Sequence, residues 1–132
     1  MSTESNKSVV MTYVEAFNAG RFEDLRSIFT DDALIHGVTG SATLDLAIPF
    51  WKQLHDSLEA KLDVEEIVAE GDKVVVRYTE RGRWVGPWMG RDNPSGKTFE
   101  LSAMEWFVLQ DGKIRRRWGA RDSASQARQI GL

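Results

Sequence analysis

Residues 97–122 read KTFELSAMEWFVLQDGKIRRRWGARD. Asp111-Gly112 in the middle, flanked by alternating apolar stretches, is the strongest short signal for a two-residue β-hairpin turn. It predicts two strands, Lys97 to Gln110 and Lys113 to Asp122. A two-residue turn sets Gln110 opposite Lys113, and an unbroken register then sets Phe107 opposite Arg116, Glu105 opposite Trp118, Ala103 opposite Ala120 and Leu101 opposite Asp122. Side chains alternate across a strand, so Phe99, Leu101, Ala103, Glu105, Phe107 and Leu109 share a face with Ile114, Arg116, Trp118, Ala120 and Asp122. That apolar face is expected to line the core. Met104, Trp106 and Val108 fall with Arg115, Arg117, Gly119 and Arg121 on the wetter face.

Upstream, Leu62 to Ala69 and Lys73 to Trp84 are strand-like runs joined by Glu70-Gly71-Asp72-Lys73, a second hairpin signal. A Gly- and Pro-rich segment, Gly86-Pro87 to Ser95-Gly96, separates the hairpins. The first half of the chain has a helical period instead. Val10, Tyr13, Val14 and Phe17 recur at spacings of three and four within Ser8 to Ala19, the stripe of an amphipathic helix that Gly20 ends. A short helix from Phe22 to Phe29, a short strand from Ala33 to Gly37 and a loop of Gly, Thr and Ser follow. A third helix runs over Leu44 to Leu58, where Pro49 either kinks the first turn or marks a true start near Ile48. Ser123 to Ile130 predicts a last helical turn or two. Helices first and antiparallel strands afterwards predict an α+β layer fold, an open half-barrel around an apolar pocket.

The 132 residues, 42% of them hydrophobic, fit a single domain over 1–132 with one proper core. The absence of cysteine removes disulfides, thiolate metal sites and cysteine nucleophiles together. His36 and His55 alone leave the chain short of imidazoles for a zinc site, so no metal is expected. A net charge of −3 gives no broad attraction for nucleic acid. The one basic run, Arg115-Arg116-Arg117, lies in a strand that splits it between faces. No stretch approaches the roughly 18 consecutive apolar residues of a membrane span, and the polar start is no secretory signal, so a cytoplasmic protein without membrane contact is expected.

Two carboxylates stand out in this register, because Glu105 and Asp122 would project into the core side, where an unpaired charge is costly. Burial raises a carboxylate's pKa and suits it to general acid or base work. Alternatively each sits near a strand end, reaches water or pairs with Arg77 or Arg116, and has no chemical role. Phe17, Phe50, Trp51, Tyr78, Trp84, Trp88 and Trp118 are more aromatic mass than so small a half-barrel needs, and flat ligands pack well on aromatic walls. Trp51 and Trp118 are the expected walls and Phe17 plain core. Trp84, Trp88 and Met89 lie in or beside the Gly/Pro segment, a candidate lip over the pocket mouth. Trp106 beside Arg117 on the wetter face predicts a self-association surface and a homodimer.

Tyr13 to Gly20 (YVEAFNAG), Phe29 to Gly37 (FTDDALIHG), Val68 to Thr79 (VAEGDKVVVRYT), Asp111 to Ile114 (DGKI) and Trp118 to Asp122 (WGARD) together resemble the SnoaL-like polyketide cyclase family, of the nuclear-transport-factor-two-like superfamily. The resemblance covers nearly the whole chain. It implies a cone-shaped half-barrel of strongly curved antiparallel sheet packed on N-terminal helices, usually dimeric. It also implies a cofactor-independent intramolecular aldol condensation of a hydrophobic carbonyl compound, with an aspartate on the last strand as general acid/base. Asp122 is similar to that aspartate, and His36 and Tyr13 are candidate donors to the enolate oxygen; equally, His36 is a lone core or surface histidine and Tyr13 plain core. Arg77, Tyr78, Glu105, Trp51, Trp84, Trp88 and Trp118 are the candidate substrate contacts. Two sister activities fit less well. His36 stands where a ketosteroid isomerase would carry its base. Arg77 resembles the arginine of limonene-epoxide hydrolases, but Thr79 and Ala120 stand where their carboxylates belong. A non-catalytic small-molecule-binding dimer is the remaining alternative.

Overall fold

A computed structural model describes residues 2–37 and 40–132. Helix α1 spans Thr3–Ala19, with the Ser2 hydroxyl accepting from the Ser5 amide at its start and Gly20, at φ 74°, ending it. A 3₁₀ turn over Phe22–Ser27 replaces the expected short helix, and Phe29 already belongs to strand β1. The order continues β1 (Phe29–Gly37), β2 (Gly40–Thr43), α2 (Leu44–Leu58), β3 (Lys61–Glu70), β4 (Lys73–Arg83), β5 (Thr98–Gln110), β6 (Lys113–Arg121) and α3 (Ser123–Ile130). Pro49 lies inside α2, which begins at Leu44. Part of the predicted Gly, Thr and Ser loop is β2; its residues 38 and 39 lie outside those described. No helix among the described residues is long and apolar enough to cross a membrane.

The fold is α+β, with helices packed on a curved, unclosed sheet of six strands in the order β2-β1-β6-β5-β4-β3. Neighbours are antiparallel except β1 and β6, which run parallel. The core lies inside the curve, where Val10, Tyr13, Val14 and Phe17 of α1 meet Val74, Val76, Tyr78, Phe107 and Ile114 of the sheet, all buried.

The register of the last hairpin departs from the sequence expectation in one place. The turn forms at Asp111 and Gly112, with φ of 52° and 80°, and Gln110 pairs with Lys113 and Leu109 with Ile114. Val108 then pairs with Arg116, leaving Arg115 as an extra residue, a β-bulge. Beyond it Phe107 pairs with Arg117, Trp106 with Trp118, Glu105 with Gly119 and Ala103 with Arg121. A one-residue slip exchanges the two faces of a strand. Arg117, Gly119 and Arg121 therefore face the concave side, Trp118 faces out with Trp106, and Asp122 has left the strand. The expected placement of Trp118 and Asp122 on the concave face is thus corrected.

At the far end of the sheet, β4 touches the last turn of α2 so closely that only glycine fits at position 82. A β-carbon there would overlap the Leu58 carbonyl oxygen and the Phe99 ring. Neither obstacle is a flexible side-chain tip, so the strand or the helix must move. Gly82→Ala is expected to cost about 3 kcal/mol, the upper end for overpacking, read as a lower urea midpoint at unchanged slope.

Candidate active site

The concave face and the helices α1 and α2 enclose a cavity of about 100 Å³. Its apolar wall includes Phe17, Ile35, Phe50, Trp51 and Leu54; its polar groups come from Tyr13, Glu80, Glu105, Arg117 and Arg121. Alternation along β5 turns Glu105 inward between Ala103 and Phe107, and it is 5% exposed. The stripe of α1 brings Tyr13 over it. The Tyr13 hydroxyl donates to Glu105 Oε2 at 2.8 Å, and Arg117 Nε donates to the same oxygen at 2.5 Å. Arg117 Nη1 also donates to the His36 carbonyl at 3.2 Å, and its guanidinium lies 5.6 Å from the centre of the Trp51 ring. Among the described residues both side-chain hydrogen bonds to Glu105 fall on Oε2 and none on Oε1.

Gly119 makes this arrangement possible. It stands opposite Glu105, and any β-carbon there would collide with the Arg117 guanidinium, which folds across the glycine to reach the carboxylate. Two residues further along β6, Arg121 makes a second buried pair. Its Nε donates to Glu80 Oε1 at 3.0 Å, its Nη2 to Oε2, and its Nη1 to Gln126 Oε1 at 3.4 Å. Glu80 is 3% exposed. Two Glu–Arg pairs thus sit side by side on one concave surface, which suits buried charge because each ion is matched and hydrogen-bonded.

Burial, then the neighbouring Glu105 charge, pushes the Tyr13 hydroxyl pKa well above its usual value of 10. The same two causes lead in raising Tyr78, whose buried hydroxyl faces Glu105 but makes no hydrogen bond of good geometry among the described residues. Burial, the largest single effect on Arg117, would lower it; the Glu105 charge, the hydrogen bond to Glu105 and the two tyrosines together outweigh burial and raise the guanidinium further, keeping it cationic. The site therefore holds a fixed cation and a neutral phenol, both bonded to Glu105.

Of the residues expected from sequence, Tyr13, Trp51 and Glu105 meet in this cavity, with Tyr78 buried close by. Four do not. Asp122 is exposed and caps α3, its Oδ1 accepting from the Ser125 amide at 3.0 Å. His36 alternates with inward Ile35 and so faces out; its ring stacks on Trp118 at 5.0 Å and its Nδ1 lies 2.6 Å from Ser41 Oγ. Trp118 is 43% exposed on that outer face. Arg77 pairs with exposed Met104 across the outer face, 3.9 Å from Glu66. Trp84, just before the 85–96 segment, and Trp88, within it, are both buried, Trp84 Nε1 donating to the Gly86 carbonyl at 2.7 Å. Neither touches this cavity.

Arg117, Arg121 and Glu80 were not anticipated. One signal pointed to them: Gly119 inside an otherwise regular strand, since a strand glycine often marks a bulge or a close approach. Among the described residues no group of three histidines, aspartates or glutamates gathers as metal ligands.

An open α+β cone with a polar cluster at the bottom of an apolar pocket defines a class of small-molecule-binding domains. The chain belongs to the SnoaL-like polyketide cyclase family, whose model matches residues 7–130. Among solved structures, it is 25% identical to IdmH of Streptomyces antibioticus, a proposed polyketide cyclase, over 96% of this chain and 99% of that one, with a TM-score of 0.83. It shares its fold with a proposed SnoaL-like polyketide cyclase of Jannaschia sp. CCS1, at 23% identity over 98% and 94% of the two chains and a TM-score of 0.89. It also shares it with AclR of Streptomyces galilaeus, a proposed hydroxylase, at 20% identity over 98% of each chain and a TM-score of 0.88. None of the curated proteins matches the chain significantly.

Tyr13 and Tyr78 are the only tyrosines, and both are raised, so the native protein should show no tyrosinate absorbance at 295 nm as pH passes 10. A raised folded pKa means the stability these groups contribute is intact below the unfolded value of about 10 and is lost as pH climbs above it. Both phenols are therefore expected to ionise together in a single alkaline unfolding step. A tyrosine titrating near pH 10 with the far-UV signal intact would contradict the burial of that hydroxyl.

Proposed function

We propose that the cavity is the reaction site of a cofactor-independent cyclase-type enzyme that performs acid/base chemistry on a hydrophobic, carbonyl-bearing small molecule. The observation that carries this reading is the Glu105 carboxylate, held on one oxygen by Tyr13 and Arg117 and without a hydrogen bond to the other among the described residues. Oε1 is the base. It takes the activated α-proton of the substrate, and the electron pair left behind moves onto the carbonyl oxygen as an enolate. As Glu105 becomes neutral, Oε2 loses its hold on Arg117 and Tyr13, and these donors turn to the enolate oxygen, where negative charge has just developed. The enolate carbon then attacks a second carbonyl of the same molecule, a carbon–carbon bond closes the ring, and the resulting alkoxide recovers the proton from Glu105. Trp51 and Phe17 supply flat apolar walls and exclude water.

Activity is to be sought with β-keto esters and polyketide-like ring precursors. Glu105→Gln removes the base and should lower turnover by about two to four orders of magnitude. Because that change also leaves the Arg117 charge buried without its partner, Tyr13→Phe is the folding-safe companion. It keeps the core ring and removes one donor, and should cost about a hundredfold in kcat with little change in KM. Full activity in both variants would end this mechanism. Silence across the whole screen would favour a non-catalytic small-molecule-binding domain.

The same reading includes a homodimer formed through the outer sheet. Val68, Val75, Trp106, Trp118, His36 and Ser41 form one row across all six strands. Val68, Met104, Trp106 and Trp118 are 43–52% exposed on this face, an apolar band that a second copy would cover. Sedimentation is expected to give a dimer at micromolar concentration and a monomer for Trp106→Glu; a wild-type monomer at high micromolar concentration would refute it.

A further inference from the structure

We infer that the space between the 85–96 segment and α3 is a second binding compartment, which takes a flat apolar ring ending in a carboxylate. It measures about 480 Å³, within the roughly 300–1,000 Å³ of small-molecule sites, whereas the cavity above Glu105 holds about 100 Å³ and is too small for a polycyclic substrate. The two spaces share Phe50 and Arg121 as a common wall. A substrate with its reacting carbonyl at Glu105 would pass its remote ring across Phe50 into the larger space.

The lining of this compartment divides by chemistry. Phe50 and Trp88, with ring centres 5.8 Å apart, and Ala127 form an apolar slot. Arg91, Arg121 and Gln126 supply the polar side. The Arg121 charge is matched by Glu80, whereas the Arg91 guanidinium has no acidic side-chain partner among the described residues and is left to meet an anion. Gln126 is 2% exposed, and its buried amide nitrogen has no hydrogen-bond partner among the described residues, a donor left unused there.

Local backbone geometry sets these groups in place. Trp88 and Arg91 exchange two backbone hydrogen bonds, at 2.8 and 3.0 Å, across a tight turn whose central residues Met89 and Gly90 have φ of 51° and 75°. This two-residue turn holds the buried ring of Trp88 and the free guanidinium of Arg91 side by side at the mouth. A non-glycine residue rarely adopts Met89's conformation, and such backbone tends to persist where a site depends on it.

The compartment extends the proposed reaction site, but its test reads binding without turnover, so either idea can fail alone. The probe is 2-naphthoate, added to ¹⁵N-labelled protein. Saturable shifts are expected at Trp88, Arg91, Ala124 and Ala127, with a dissociation constant of about 1 mM for a ligand of this size. Ala127→Phe fills the slot and should weaken binding at least about tenfold; Ala124→Phe, at an exposed position on the same helix, stands in if the first variant does not fold. Arg91→Ala should weaken 2-naphthoate about three- to fivefold and leave neutral 2-naphthylmethanol unchanged. Absent shifts, shifts confined to the outer sheet around Trp106, or binding that survives the filling variant would overturn the compartment. Equal loss of the acid and the alcohol in Arg91→Ala would overturn its preference for an anion.

Discussion

Glu105 and Arg117 exchange a hydrogen bond inside the curve of the sheet, and much of the structure is arranged so that they can. Taking a carboxylate and a guanidinium out of water costs several kcal/mol for each ion, returned only if the pair is close and its remaining groups are occupied. Here Tyr13 occupies the carboxylate, while the His36 carbonyl and the Trp51 ring face the guanidinium. The requirement reaches into the backbone. Without the bulge at Arg115, Trp118 would stand opposite Glu105; with it, Gly119 does, and only glycine leaves room for Arg117 to cross.

That dependence explains what could be read from the sequence. Tyr13 and Glu105 were legible because each lies in an unbroken period, the stripe of α1 and the alternation of β5. Nothing further along the chain can change the faces they occupy. The α+β order, the two glycine-marked hairpins and the third helix were legible for the same reason. The face of β6 was not, since it is fixed by one unpaired residue, and bulges carry no residue type of their own beyond a preference for glycine nearby. One slip moved Asp122 and Trp118 off the pocket and brought Arg117 and Arg121 into it. Strand β2 escaped for a different reason: Gly40-Ser41-Ala42-Thr43 has too little apolar content to alternate.

The family relationship and the inner surface answer different questions. Proposed cyclases and a proposed hydroxylase share this cone closely in three dimensions, so the shared fold does not by itself select a chemistry. In this chain the last strand offers the pocket two arginines separated by a glycine, and its aspartate is spent on capping α3. The buried carboxylate at the pocket floor comes instead from Glu105 on the preceding strand, a position that an argument from the last strand alone would overlook.

Helix α3 has a consequence for how this protein can be handled. Eight residues are too few for a helix to stand alone in water. It is held by buried Ile130, by Ser95 bonding the Ile130 carbonyl, and by Gln129 bonding the Glu100 backbone in both directions. Its cap, Asp122, directly follows Arg121, and Leu132 lines the space beneath the 85–96 segment. Anything that pulls on this helix therefore also pulls on the Arg121–Glu80 pair at the pocket wall. A purification handle belongs ahead of α1, whose first turn lines neither cavity, because one fused after Leu132 would report on a protein whose ligand space it had itself disturbed.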